Sequence, residues 1–199
     1  MKFTKEGQEI SLPEFERFTG AKWIPGLEFD DPKVFSSICK TGAKLYKKGE
    51  MTLEQVWLGR YFQQEIAAPP APDVEIRWID NTLGWGVFAL RDLKKMTFLA
   101  EYGGKVRKRI KNDTKNGYCF EYVLVQGFSS PYVIDAQEQG SVARYINHSS
   151  TPNLNSALAT IDHVSHVVLY AKEPIAKGTQ LCYDYGSDYW SQRTAPIPL

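Results

Sequence analysis

Residues 144–153 read RYINHSSTPN, and the fold turns on what Asn147, His148 and Ser149 do there. A histidine between an aromatic-aliphatic run and a proline turn suits a catalytic base, a metal ligand or a buried backbone clamp. Ser149 and Ser150 follow His148 directly, so neither side chain readily pairs with it, and no GxSxG elbow occurs. The other two histidines, His163 and His166, are spaced i, i+3 in HVSH ahead of a strand-like run and are expected at exposed or edge positions. Asp162 adds only a generic third ligand to them, and a catalytic metal usually takes three protein ligands, so no metal is expected.

The rest of the chain narrows the choice. It has 199 residues, 43% hydrophobic and 24% charged, enough for one packed domain or a domain with a small appendage. Net charge is +1; residues 1–70 carry 10 basic and 10 acidic side chains and the remainder 14 and 13, so no nucleic-acid footprint is legible. Cys39, Cys119 and Cys182 are widely spaced without a CxxC pair, which speaks against a disulfide framework or structural zinc and for a reducing compartment. MKFTKEGQEISL has no signal-peptide core, and no run reaches the roughly 18 apolar residues of a membrane span. A soluble, intracellular protein is expected.

APPAPD (68–73) is the clearest boundary, because its prolines stop helices. Before it two helices are expected. One starts at Asp31-Pro32, with Val34, Phe35, Ile38, Gly42 and Leu45 on its apolar face. The other starts at Thr52, which has capping-box spacing to Gln55 and an apolar stripe of Leu53, Val56, Trp57 and Tyr61. The pair is expected to pack on the following domain. After the boundary come VEIRWID, GWGVFAL, TFLAEYGG, CFEYVLV, YVIDA, HVVLYA and TQLCYDYG, all short and separated by Gly, Asn or Asp, which read as many short strands. KVRKRIK (105–111) reads as a solvated strand end or loop. GWG (84–86) lacks a full GxGxxG and a following amphipathic helix, so a phosphate cradle is not expected.

The tyrosines say more. Strand alternation puts Tyr183 and Tyr185 on one face, and Tyr118, Phe120 and Tyr122 on another. Such a face is usually core, but a pocket walled by tyrosines also holds the aliphatic stem of a lysine and turns electron-rich rings to a cation. Cys119 and Cys182, in apolar strand contexts, read as inert thiols.

GWGVFA (84–89), EYGG (101–104), YVIDA (132–136), RYINHSSTPN, PIAKGTQLCYDYG (174–186) and SDYW (187–190), in that order, resemble the SET-domain protein lysine methyltransferases over roughly residues 74 to 190. The resemblance implies a mainly β SET fold with a C-terminal pseudoknot, here preceded by a small helical region: 1–70 helical, 71–190 catalytic, 191–199 tail. It implies S-adenosyl-L-methionine as methyl donor, with S-adenosyl-L-homocysteine as product. Gly84, Trp85, Gly86, Tyr102, Arg144, Asn147, His148, Tyr185 and Trp190 (or Tyr189) would form the cofactor pocket. The glycines would let backbone approach the cofactor, and Asn147 and His148 would be its clamp. Tyr185 would be the catalytic tyrosine, with Tyr183 and Tyr102 beside it, and Tyr118, Phe120 and Tyr183 would wall the lysine channel. Tyr183 stands where the family alternates Phe and Tyr, which implies mono- or dimethylation. Gln180 replaces a common Glu, Ser150 a frequent Cys, and the flanking zinc clusters are missing, as in compact viral and bacterial members. The implied partner is a protein with a target lysine, a histone or histone-like protein among the candidates, with homodimerisation open. A histone substrate would place the chain in the nucleus or on chromatin, including as a bacterial or viral protein acting in a host. The alternative is a SET-like binding module without turnover; against it, Tyr185, Asn147, His148 and the glycine turn occur together.

Overall fold

The computed structural model describes residues 1–125 and 127–190; the expected tail, 191–199, lies outside them. The chain opens with β1 (Lys2–Lys5), β2 (Gln8–Ile10), α1 (Leu12–Thr19), β3 (Lys22–Trp23) and β4 (Leu27–Glu28). Helices α2 (Pro32–Lys47), α3 (Leu53–Tyr61) and α4 (Gln63–Ala67) follow. Strands then dominate: β5 (Val74–Asp80), β6 (Gly84–Ala89), β7 (Phe98–Glu101), β8 (Gly104–Lys108), β9 (Cys119–Glu121), β10 (Tyr132–Asp135), β11 (Gln139–Gly140), β12 (Asn147–His148), β13 (Leu154–Ile161), β14 (Val164–Ala171) and β15 (Gln180–Tyr183), closed by the helical turn α5 (Ser187–Trp190).

These strands form small sheets, in the orders β12-β15-β6-β5-β1-β2, β4-β8-β10-β9, β11-β3 and β13-β14-β7. The apolar run VSHVVLYA makes β14, buried along most of its length between β13 and β7, as a continuous apolar strand should be. Asp162 (φ 48°) and His163 (φ 70°) form the tight turn from β13 to β14, whose mirror-image geometry matches strand twist. Strand β15 lies between β6 and β12, and the segment after β12 clasps it: Asn153 Nδ2 donates to the Gln180 carbonyl (2.8 Å) while its Oδ1 accepts from the Cys182 amide (2.9 Å). This interlocking of 147–153 with 180–186 is the pseudoknot that the resemblance implies.

Two features differ from the expectation for residues 1–70. Residues 1–28 add four strands to the helices: β1 runs parallel to β5, β3 to β11 and β4 to β8. At two to four residues each they are too short to show a period of two, and apart from the local β1–β2 hairpin their partners are remote in sequence. Helix α1 was equally unforeseen, although Ser11 and Glu14 have capping-box spacing; its Phe15 is fully buried against Phe3, Trp85 and Tyr145.

Asp31 caps α2 and Thr52 and Gln55 box α3, as their spacing predicts. The buried faces are shifted. On α2, Val34, Ile38 and Gly42 are buried but Phe35 is 44% exposed. On α3, Leu53, Trp57 and Tyr61 face outward and Gln55, Leu58 and Gly59 face in. Close approach decides the face: a Cβ on Gly59 would overlap the Thr160 carbonyl, and one on Gly42 the His163 carbonyl. Both helices thus sit backbone to backbone on the β13–β14 hairpin. Gly59→Ala should cost about 1–3 kcal/mol, read as a lowered urea midpoint; an unchanged midpoint would mean that α3 has room to shift.

Candidate active site

Pairing of β12 with β15 sets Asn147 beside Cys182 and His148 beside Tyr183. Asn147 Nδ2 donates to the Trp85 carbonyl at 3.2 Å, tying β12 to the glycine turn that opens β6. His148 Nδ1 accepts the Tyr185 amide proton at 3.2 Å, so a neutral ring carries its own proton on Nε2. Its ring packs on Tyr185 (5.4 Å) and Trp190 (4.9 Å). His148 is therefore a strut holding the Tyr185 backbone.

Tyr102, just after β7, Tyr183 of β15 and Tyr185 in the turn after β15 come together. With Tyr118 and Phe120 they wall a narrow slot of about 60 Å³ that Arg144 and Tyr189 also line. The Tyr183 and Tyr185 rings are 4.7 Å apart, and Tyr102 lies 5.2 Å from Phe120. Tyr185 donates its hydroxyl proton to the Ile146 carbonyl (2.8 Å), and Tyr102 donates to the Tyr118 carbonyl (3.1 Å). With those protons committed, each phenol oxygen presents lone pairs only. Burial pushes the pKa of all three phenols above the ordinary tyrosine value, and neighbouring tyrosines add to it. They are neutral at physiological pH.

Tyr118 is held from two sides. The Arg144 guanidinium lies 3.8 Å over its ring and is fixed by the Ala136 (2.7 Å) and Gln137 (3.2 Å) carbonyls. Asn116 accepts the Tyr118 amide (2.9 Å) and donates to Asp135 (2.9 Å), whose other oxygen binds Arg107 at 2.7 Å. Arg107 also forks onto buried Asp113, and together these carboxylates raise its pKa. The basic run at 105–111 is thus paired rather than merely solvated: Lys105 meets Asp30, Arg107 meets Asp113 and Asp135, and Arg109 meets Glu121.

Tyr118, Arg144, Tyr185 and Tyr189 of the slot also wall a second cavity of about 480 Å³ against Trp85, lined as well by Gly84 and Asn147. Phe18 and Thr19 of α1 complete it, a contribution that only the capping signal of α1 could have revealed. Gly84 needs its positive φ of 71°. A Cβ on Gly86 would meet Ile79 Cδ1 at 2.6 Å, so the bare backbone there also makes room for packing on the sheet. Trp190 stacks on Tyr185 at 6.1 Å, and it is Tyr189 that lines the cavity. The Trp190 Nε1 is buried without a hydrogen-bond partner among the described residues, as is Gln180 Nε2.

Burial pushes the thiols of Cys119 and Cys182 up to about 12 and about 11, which fits the inert reading. His166 corrects the expectation of an exposed ring: its Nδ1 meets the buried Glu101 carboxylate at 2.6 Å, next to Tyr102.

Comparison with known proteins adds an independent line. A family model described as SET domain matches residues 84–186. Histone-lysine N-methyltransferase ASHH1 of Arabidopsis thaliana is 34% identical over 113 residues, which cover 54% of this chain and 23% of that protein. Histone-lysine N-methyltransferase Su(var)3-9 of Drosophila melanogaster is 33% identical over 117 residues, covering 53% and 18%. The chain thus spans less than a quarter of the length of either relative. Among solved structures, ATXR5 in complex with histone H3.1 mono-methylated on R26 superposes with a TM-score of 0.64 at 22% identity, covering 88% of this chain and 86% of that one, a likeness of fold that takes in much of the N-terminal region. KRYPTONITE in complex with mCHH DNA, H3(1-15) peptide and SAH gives 0.50 at 29% identity, covering 62% and 25%.

Proposed function

The chain belongs to the SET-domain family, and from that premise we propose that it is a protein-lysine N-methyltransferase using S-adenosyl-L-methionine. The observation that carries this is the tyrosine slot sharing its walls Tyr118, Arg144, Tyr185 and Tyr189 with the cavity beside Trp85. The cavity has the volume of a small-molecule site, and its walls suit the donor: aromatic rings, main-chain edges of Gly84 and Trp85, the Asn147 amide and a cationic Arg144. Tyr102, Tyr118, Asn147 and Tyr185 would hold it, with His148 and Trp190 supporting from behind. S-adenosyl-L-methionine supplies a methyl group on a sulfonium: the carbon–sulfur bond breaks as the nitrogen–carbon bond forms, its electron pair returns to sulfur, and the proton lost by the amine goes to water.

The residues of the chain do the rest. The amine must be neutral to attack, whereas free lysine has a pKa of about 10.4. A desolvated slot next to a cation lowers it. Neutral Tyr102 and Tyr185 turn lone pairs, not protons, toward the slot, so they orient the amine and stabilise positive charge without acting as bases. The names of the relatives support a histone or similar basic protein as substrate.

Calorimetry with S-adenosyl-L-methionine, followed by transfer of a radiolabelled methyl group to histones and other basic proteins, tests the reading. Absence of binding would overturn it; binding without transfer would make the chain a binding module. Tyr183 crowds the slot beside Tyr185, which supports mono- or dimethylation. Tyr183→Phe should shift the product toward trimethyl-lysine by mass spectrometry. A wild type that already makes mainly the trimethyl product would remove the argument.

A further inference from the structure

A groove of about 550 Å³ runs between the start of α3, β9 and β13. Phe120 lines both this groove and the tyrosine slot, so the two share a wall. One bank carries Glu121 and Phe128, which is 53% exposed; the opposite bank is Thr52 and Glu54. The second bank lies outside the residues matched by the family model. It is nevertheless fixed to the first. Gln55, only 4% exposed, donates to the Leu124 carbonyl at 2.9 Å, and Gly59 locks the helix against Thr160.

The charge of the groove is one-sided. Its described lining has two carboxylates, Glu54 and Glu121, and no lysine, arginine or histidine. Glu121 already meets Arg109 at 3.0 Å, whereas Glu54 has no ion pair among the described residues. Because Phe120 lines both, a segment whose lysine fills the slot can lay its neighbouring residues in the groove. Resting on the lysine-methyltransferase reading, we propose that α3 forms one bank of the substrate groove and that Glu54 selects a cationic side chain close to the target lysine. The occupant is a basic, extended protein segment, bound with its flanking arginine or lysine toward α3.

The test uses the full chain and synthetic peptides with one lysine in a neutral background, carrying arginine, alanine or glutamate at each flanking position in turn. The wild type should favour arginine over alanine at one or two positions. Glu54→Gln should lower that arginine-to-alanine ratio of kcat/KM by about fivefold, mainly through KM, with the effect fading at high salt. Glu54→Lys should turn the preference toward glutamate at the same position. A lost cap or a tilted helix would not reverse the sign, so the reversal separates recognition from structure. A ratio that both variants leave as in the wild type, or a wild type indifferent to flanking charge, overturns the proposal alone. Failure of the wild type to methylate any peptide or any basic protein overturns the methyltransferase reading, and this proposal with it.

Discussion

Tyr185→Phe should slow methyl transfer by about 100-fold or more, the scale seen when a preorganised group that stabilises developing charge is removed. The substitution deletes one oxygen. That oxygen has its proton fixed on the Ile146 carbonyl, so its lone pairs remain for the slot. The ring keeps its contacts with Tyr183, Tyr189 and Trp190, so the fold and the walls of the cavity should survive. Single-turnover kinetics with S-adenosyl-L-methionine and a lysine peptide should show the loss in the rate of transfer, with calorimetry finding donor binding much less affected. A variant as fast as the wild type would take the phenol out of the chemistry. Equal losses in binding and rate would make Tyr185 a wall only.

His166→Ala should destabilise the fold by about 1–3 kcal/mol, the usual cost of leaving a buried polar group without its hydrogen-bond partner. The Glu101 side chain is 3% exposed and that of His166 15%. The other Glu101 oxygen faces Gly26, where a Cβ would lie at 2.6 Å, so the carboxylate has little freedom to seek water. Urea denaturation followed by tryptophan fluorescence should show the lowered midpoint. The double variant Glu101→Gln, His166→Ala should recover part of the loss, because an amide tolerates burial better than a lone carboxylate. Glu101 immediately precedes Tyr102, so the single variant should also loosen one wall of the slot. An unchanged midpoint would mean that the pair is held by geometry alone.

The strands from Val74 onward were legible because each is a short apolar run closed by turn residues, and Tyr183, Tyr185, Tyr118 and Phe120 because two alternating patterns put their rings on common faces, whereas Tyr102 and Tyr189 were assigned through resemblance. Asn147 and His148 were assigned to a clamp through resemblance; the structure adds that His148 holds the Tyr185 amide. What stayed hidden was non-local. The outward Leu53, Trp57 and Tyr61 of α3 looked like core because apolar periodicity cannot show that Gly59 meets a carbonyl. His166 looked peripheral because Glu101 lies on another strand, 65 positions away. Asn153, which clasps β15 with both ends of its amide, carried no signal beyond its place after a proline.

The parallel pairing of the first strands with distant ones bears on how the chain reaches this state during synthesis. Lys22 in β3 is matched to Gln139 in β11, and Phe3 in β1 to Ile76 in β5. Strand β3 must therefore wait on the ribosome without its partner until more than a hundred further residues have emerged. Non-local pairing of this kind is slow and leaves strand edges open meanwhile. A fragment trimmed to the family-matched residues 84–186 would lack β1 to β5, and would present β6, β8 and β11 as bare edges to its neighbours.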